Sequence, residues 1–221
     1  MSNYIYHYTS IENLAWILLT REIKFRSLTQ VDDLDEQERK GLSQYAKYCL
    51  VSCWTQSEVE SISMWDMYAD RMKGVRIGLP EDFFVENALC PIDVKYDDKV
   101  YGNFRNHEIN DVNLLGIHKN KVWEFQKEVR FRMFLIMKNK TELEITFCEK
   151  EFQNYWMCTK EPPDKNRSVP RFSKISADKI SEMKILLAPK TNNAHKHIVK
   201  SLAEKAGIPI ENIEKSKLRI Q

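Results

Sequence analysis

The chain has 221 residues, of which 43% are hydrophobic and 11% aromatic, and this suits one domain with a full-sized core. No apolar run approaches the roughly 20 residues of a membrane span, which excludes a membrane-spanning helix. The net charge of +2 does not by itself indicate nucleic-acid binding.

The cysteines and the first residues bear on the cellular compartment. The five cysteines are odd in number and form no C-x-x-C pair, so they indicate buried thiols in a reducing environment. The opening residues, Met-Ser-Asn-Tyr, lack the basic and apolar stretch of a secretion signal. We therefore expect a cytoplasmic protein with no membrane partner.

The first element is a short aromatic strand followed by a helix. Residues 4–8 alternate, with the tyrosines on one face and Ile5 and His7 on the other. Thr9 and Glu12 have capping-box spacing, which predicts a helix that starts at Thr9. The apolar stripe of this helix is predicted to be Ile11, Leu14, Ala15, Leu18 and Leu19.

Several further segments have the pattern of short strands or amphipathic helices. The predicted strands are residues 23–28, 48–55, 74–79, 92–96, 145–147 and 184–188. The predicted helices are residues 61–70 and 194–206, the second with Ile198, Leu202 and Ala206 as its apolar stripe. Many short strands with few helices predict an α+β fold in a single domain, residues 1–221.

An acidic stretch at residues 29–40 raises the question of a metal site. Asp32, Asp33, Asp35 and Glu36 lie close together in it. They lack the glycine and the spacing of a calcium loop, so we predict no metal site.

The stretch that begins at Glu128 is the most informative part of the sequence. Val129 and Phe131 point one way, while Glu128, Arg130 and Arg132 point the other, which is the period of a strand with one face in a core. Neighbouring positive charge lowers the pKa of a carboxylate and keeps it ionised. An ionised carboxylate at a strand edge suits holding a sugar hydroxyl or stabilising developing positive charge. A solvated charged face explains the same pattern.

Charge is distributed unevenly along the chain. Residues 1–70 hold 6 Lys and Arg against 11 Asp and Glu, whereas residues 160–205 hold 11 against 5. A basic surface for phosphates fits this distribution, and so do solvated helix faces. In the proline-bearing stretch 159–174, which we expect at the surface, the predicted contacts to a nucleic-acid backbone are Lys165, Arg167, Arg171 and Lys174. Phe172 lies among them as a stacking face, and a plain solvated loop is the alternative.

Four motifs, taken in order, resemble a bacterial family known as domain of unknown function 2971. They are Tyr6-His-Tyr-Thr-Ser10 before Asn13-Leu14, Met64-Trp-x-x-Tyr-Ala-Asp70, Gly74-Val-x-Ile-Gly78, and Trp123 followed by Lys127-Glu-Val-Arg130. The later segment Ile185-Leu-Leu-Ala-Pro-Lys190 also resembles that family. The family in turn resembles an outlying branch of the ADP-ribosyltransferase superfamily. The resemblance implies split mixed or antiparallel β-sheets flanked by helices.

The resemblance also implies roles for individual residues. Glu128 matches the catalytic glutamate of the superfamily. The aromatic residue that faces nicotinamide is Tyr68 as the first choice and Trp65 as the second. His7 matches the histidine that contacts the adenosine ribose of NAD.

Three further cofactor contacts are implied. Tyr8 and Thr9 follow His7 in the motif and are expected to line the NAD site with it. Arg26 is expected to contact the diphosphate or the adenine. No metal is expected, because the carboxylate itself stabilises the oxocarbenium-like transition state.

The implied activity is NAD-dependent mono-ADP-ribosyl transfer to a macromolecule, with NAD as the substrate. The basic half slightly favours a nucleic-acid acceptor, and a protein side chain is the alternative. By family analogy the protein would be a toxin or an antiphage-defence effector, with a cognate antitoxin as a partner. A non-catalytic module that binds a nucleotide or a protein on the same fold is the alternative from another class.

Overall fold

A computed structural model of the chain describes residues 3–37, 43–86, 88–98, 114–139, 142–146 and 172–220. The strands in these ranges are β1 (Tyr4–Thr9), β2 (Glu22–Lys24), β3 (Arg26–Ser27), β4 (Cys49–Thr55), β5 (Val75–Pro80), β6 (Ile92–Asp93), β7 (Lys95–Asp97), β8 (His118–Asn120), β9 (Glu128–Asn139), β10 (Glu142–Thr146), β11 (Phe172–Lys174), β12 (Lys184–Leu187) and β13 (Ile213–Lys215). The α-helices are α1 (Ile11–Thr20), α2 (Leu34–Gln37), α3 (Ser43–Ala46), α4 (Ile62–Tyr68), α5 (Ala177–Ser181) and α6 (Asn193–Lys205). Short 3₁₀ helices are Leu28–Gln30, Lys121–Gln126 and Ile210–Asn212.

The chain divides into two compact units. The first comprises Met1–Ile23, Trp54–Asn87 and Ser173–Gln221, and the second comprises Lys24–Cys53 and Ala88–Phe172. Each unit combines strands with helices, which confirms the predicted α+β class. The finer arrangement of sheets expected from the resemblance stays a prediction, and so does the single domain.

The sheet of the first unit has mixed orientation. β1 and β12 both pair antiparallel with β5, and β13 joins β12 in parallel. The register sets Tyr8 beside Arg76 and Tyr6 beside Gly78. On the other side of β1, Thr55 at the end of β4 pairs with Tyr6.

Helix α4 packs on the tyrosine face of β1. Its N-terminus is capped by Ser61, whose hydroxyl accepts a hydrogen bond from the Met64 N–H. Trp65 is fully buried, and its ring meets the Tyr8 ring edge-on with 4.8 Å between centroids. Ala69, just after the helix, belongs to the same buried cluster. Residues of the Met-Trp-x-x-Tyr-Ala motif therefore form part of the core of this unit.

The predicted start of α1 is wrong by one residue. Thr9 is the last residue of β1 and pairs with Val75, so it is not available as a cap. The cap is Ser10, whose hydroxyl accepts a hydrogen bond of 3.2 Å from the Asn13 N–H.

The buried faces of the two longer helices are rotated about the helix axis relative to the predicted apolar stripes. In α1, Ile17 is buried while Leu19 is 60% exposed. In α6, Val199 and Ala203 are fully buried while Ile198 is 48% exposed. The two helices contact each other, so the covered arc of each is set by its partner as well as by its own apolar period.

The other predicted strands are mostly present. Residues 48–55, 74–79 and 184–188 correspond to β4, β5 and β12 to within one residue at either end. Residues 23–28 instead form the separate strands β2 and β3, and residues 92–96 form β6 and β7. Within the described ranges, no helix has the length and apolarity that crossing a bilayer requires.

The second unit is built around β9. β10 pairs antiparallel with β9 and includes residues 145 and 146 of the predicted strand 145–147. β4 flanks β9 on the other side, and β6 pairs with the first residues of β9 through Ile92 and Arg130. β7 and β8 form a separate parallel pair.

We predict that Gly74→Ala destabilises the first unit by at least about 2 kcal/mol. A Cβ at Gly74 would stand 2.2 Å from the backbone oxygen of Thr9, so the strand pair of β1 and β5 would have to shift. The measurement is the free energy of unfolding in denaturant.

Gly207→Ala is the matched control. Gly207 has a φ of 79°, but nothing lies within 4 Å of its added Cβ. Only the backbone cost of about 1 kcal/mol is expected there. Equal losses in the two variants would contradict the close approach at Gly74.

Candidate functional site

Glu128 opens β9 in the second unit, and its charged face is buried. The side chain of Glu128 is 5% exposed, and Arg130 and Arg132 are buried as well. The alternation of faces in β9 is as predicted from the sequence, since Val129 and Phe131 are buried on the opposite face. The alternative of a solvated charged face is wrong.

Four side chains form a buried chain of alternating charge. Glu128 accepts a hydrogen bond of 2.6 Å from Arg130 Nε on one oxygen and of 3.0 Å from Lys119 Nζ on the other. Arg130 donates through both terminal nitrogens to Glu36, at 2.5 and 2.8 Å. The order Glu36, Arg130, Glu128, Lys119 sums to zero net charge, as a buried network requires.

Backbone and amide groups complete this charge chain. Lys119 Nζ also donates to Gln126 Oε1 at 2.6 Å, and Arg130 also donates to the carbonyl of Gly116 at 3.1 Å. Gly116 has a φ of 72°, a conformation that favours glycine, and this turn aims its carbonyl at the guanidinium. The segment before β8 thus supplies an acceptor for the buried cation.

The charge chain determines the ionisation of Glu128. Burial alone would raise the pKa of Glu128, but the charges of Arg130 and Lys119 outweigh burial and lower the pKa to about 2. Burial likewise opposes the charge of Arg130, yet Glu128 and Glu36 raise the pKa of Arg130 well above its usual value. Glu128 is therefore a fixed anion at neutral pH.

Two further side chains touch Glu128. Cys53 hydrogen-bonds to its carboxylate, and burial, followed by the Glu128 charge, raises the pKa of the Cys53 thiol far above its usual value. The Tyr96 hydroxyl accepts a 2.7 Å hydrogen bond from the Glu128 N–H, and burial is the main reason that the pKa of Tyr96 is raised to about 12. Cys53 is therefore a protonated donor, not a nucleophile.

The predicted NAD residues of the first unit lie on two faces of β1. His7 and Thr9 project from one face, where the His7 ring lies 5.1 Å from the Trp54 ring. Tyr8 projects from the other face, against Trp65. His7 is half-buried, whereas Thr9 and Tyr8 are 3% and 4% exposed.

Tyr68 and Trp65 differ in their burial and in their contacts. Tyr68 is partly buried and packs against the cluster that contains Tyr8 and Trp65. Trp65 is fully buried, and its indole nitrogen donates to Glu60 at 3.0 Å. Of the two rings, Tyr68 is therefore the more exposed.

The remaining predicted residues are spread over both units. Arg26 is exposed on β3 in the second unit, opposite Val51 of β4. Lys174 is exposed at the end of β11 in the first unit. Lys165, Arg167 and Arg171 lie outside the described residues.

Sequence reasoning did not assign Lys119 to the site and considered Glu36 only as a metal ligand. Glu36 instead pairs with Arg130, and its neighbour Asp33 accepts a hydrogen bond from the Asn120 N–H at 3.1 Å. Glu36 of the acidic stretch thus neutralises a buried cation, and Asp33 accepts from the backbone. In the part of the chain that the structure describes, no group of three or more His, Cys, Asp or Glu side chains is placed to hold a metal ion.

Comparisons of this chain with protein-family models, with curated proteins and with solved structures found no match. What the arrangement around Glu128 offers chemically is a fixed negative charge in a dry setting, where an electrostatic contact is stronger than in water.

We predict that Glu128→Gln lowers the free energy of unfolding by about 3 to 5 kcal/mol, because Lys119 would lose its carboxylate partner and the buried network would keep two cations but only the Glu36 carboxylate. Glu124→Gln is the matched control, since Glu124 is exposed on the neighbouring 3₁₀ helix. A loss no larger than that of the control would contradict the charge chain.

We also predict a pH dependence for this difference. The pKa of Glu128 is about 2 in the folded state and roughly 4.3 when unfolded. A depressed pKa adds stability that is fully present above the unfolded value and is lost as the pH falls towards the folded value. The gap in unfolding free energy between the natural protein and Glu128→Gln should stay constant above about pH 5 and narrow from there towards pH 2. A gap that does not change over this acid range would assign the stabilisation to something other than the carboxylate charge.

Proposed function

We propose that the protein is an NAD-dependent mono-ADP-ribosyltransferase that modifies a macromolecule. The observation that carries the proposal is the carboxylate of Glu128, which two cations keep ionised at the start of β9. This is the position that resembles the catalytic glutamate of the superfamily. Cleavage of the bond between nicotinamide and ribose develops positive charge on the ribose, and a fixed carboxylate stabilises that charge.

The carboxylate of Glu128 accepts hydrogen bonds from three donors among the described residues. A carboxylate offers about four lone-pair positions. Arg130, Lys119 and Cys53 use three of them. The fourth position suits the 2′-hydroxyl of the NAD ribose, the contact that the proposed chemistry needs.

The resemblance assigns the other NAD contacts to residues of β1, α4 and β3. His7 is half-buried and would anchor the adenosine ribose. Tyr68 would stack on nicotinamide, and the full burial of Trp65 favours Tyr68 over it. Tyr8 and Thr9, both buried, would support this site from within.

Two further contacts complete the proposal, one to NAD and one to its acceptor. Arg26, exposed on β3, would contact the diphosphate or the adenine. A nucleic-acid acceptor would lie along the cations Lys165, Arg167, Arg171 and Lys174. Phosphate contacts release counterions, so transfer to such an acceptor should weaken steeply as salt rises. A protein acceptor would lack this steep dependence, and a toxin or antiphage role with a cognate antitoxin remains part of the proposal.

A non-catalytic module that binds a nucleotide or a protein is the second candidate. It is favoured by the burial of Glu128 and by the use of both its oxygens, which a purely structural ion pair also explains. The two candidates differ in whether NAD is consumed.

We predict that Glu128→Gln reduces NAD turnover at least about 100-fold at a temperature where the variant is folded. The measurement is release of nicotinamide and transfer of label from NAD to RNA, DNA and protein pools. Glu36→Gln is the matched control, because it removes a carboxylate from the same Arg130 but leaves Glu128 in place. We expect Glu36→Gln to lose comparable stability and to keep turnover within a few-fold of the natural protein.

Each outcome assigns a role. Equal loss of turnover in both variants would make Glu128 structural and the proposed chemistry wrong at this residue. NAD that binds to the natural protein but is not consumed with any acceptor pool would establish the binding module.

A further inference from the structure

A cavity of about 240 Å³ lies in the first unit, on the face of the sheet that carries Tyr6. It is smaller than the roughly 300–1,000 Å³ of sites for drug-sized ligands, which suits a small metabolite. Charged residues that line it are Arg76, Lys184, Glu211 and Glu214. None of these residues is among those assigned to NAD or its acceptor, so the cavity stands apart from the proposed activity.

The register of the strands explains why the cavity exists. One cross-strand row runs from Tyr6 through Gly78 to Lys184, and the next runs from Arg76 through Leu186 to Glu214. Gly78 has no side chain, and a Cβ there would stand 2.9 Å from the Tyr6 ring. The glycine thus leaves space that Tyr6 and the charged neighbours surround.

Arg76 brings a buried charge to this cavity. Its guanidinium lies 4.5 Å from the centre of the Tyr6 ring and 5.8 Å from that of Tyr8. One terminal nitrogen donates to the Glu58 carbonyl at 2.9 Å. The Glu58 carboxylate accepts a hydrogen bond from the Tyr6 hydroxyl.

Arg76 lacks a counter-ion among the residues that the structure describes. It is only 9% exposed, and its buried Nε has no hydrogen-bond partner there. A guanidinium cannot be deprotonated in a protein, and an unpaired buried charge is unfavourable. An anion in the cavity would supply the missing partner.

The rim of the cavity carries charges of both signs. Lys184 is exposed, and its ammonium lies 3.9 Å from the centre of the Tyr4 ring, with no ion pair to a described carboxylate. Glu211 and Glu214 are exposed and come from the 3₁₀ helix before β13 and from β13 itself. A simple anion would be attracted by the two cations and repelled by the two carboxylates. A ligand that also carries hydrogen-bond donors would satisfy both.

We propose that this cavity binds a small organic anion that also carries an ammonium group or hydroxyl donors. The anionic group pairs with Arg76 and Lys184, and the donors face Glu211 and Glu214. Free amino acids and sugar phosphates are two sources of this chemistry.

The test is calorimetric titration of the full chain with L-serine, ribose 5-phosphate and acetate. We expect saturable binding of L-serine or ribose 5-phosphate, and much weaker binding of acetate, which lacks donors. Arg76→Lys keeps the charge but loses the planar fork, so it should weaken binding at least about tenfold without lowering the melting temperature much. Lys184→Ala should weaken binding about two- to fivefold, as for an exposed ion pair.

Glu214→Gln separates this proposal from a plain anion site. It should weaken the binding of L-serine or ribose 5-phosphate and strengthen that of acetate, because it removes an acceptor and a repulsion together. Lys196→Ala is the control for Lys184→Ala. It removes the same charge, but Lys196 is exposed on α6 and does not line the cavity.

The outcomes are distinct. Binding of L-serine would identify free amino acids as the source of the ligand, and binding of ribose 5-phosphate would identify sugar phosphates. The proposal is overturned if neither binds saturably, if Lys184→Ala and Arg76→Lys bind like the control, or if Glu214→Gln strengthens every ligand alike. NAD turnover is measured separately, so its absence would leave this result unaffected.

Discussion

The second unit depends on the alternating charges of Glu36, Arg130, Glu128 and Lys119. Replacing a whole buried ion network by apolar side chains is often neutral, whereas removing one member is strongly destabilising. The network therefore acts less as a source of stability than as a constraint on which segments can meet. α2 must bring Glu36 to Arg130, because Glu128 alone would otherwise face two buried cations, and β8 must bring Lys119 to Glu128, which is the carboxylate that pairs with it.

The contributions of distant segments to this network also limit what the sequence of β9 can predict. A period of two shows which side chains share a face, and it predicted that Glu128 and Arg130 lie together. It does not show what covers that face. The covering carboxylate of Glu36 lies 94 residues from Arg130 in sequence, and no local pattern links the two. The covering ammonium of Lys119 is nearer, but its strand β8 is only three residues long and leaves a weak periodic signal.

In the first unit, the misplaced features have a common cause in strand pairing. β1 runs on to Thr9 because Thr9 pairs with Val75, and this moves the helix cap to Ser10. The same strand geometry sends His7 and Tyr8 to opposite faces, although they are adjacent in the motif. Adjacent side chains in a strand motif therefore face different surroundings. Arg76 was not predicted as a site residue for a similar reason. Its surroundings are set by Tyr6 and Gly78, which only the strand register brings beside it.

The depressed pKa of Glu128 limits the chemistry that it can perform. A good general acid or base has a pKa near the working pH, and a carboxylate with a pKa of about 2 is a poor proton acceptor at neutral pH. The same low pKa does not weaken its ability to stabilise a developing positive charge, which depends on the charge and its position. The two cations that lower the pKa of Glu128 therefore favour a role in stabilising an oxocarbenium-like transition state over a role in proton transfer. If ADP-ribosyl transfer occurs here, the proton of the acceptor must leave to a group other than Glu128.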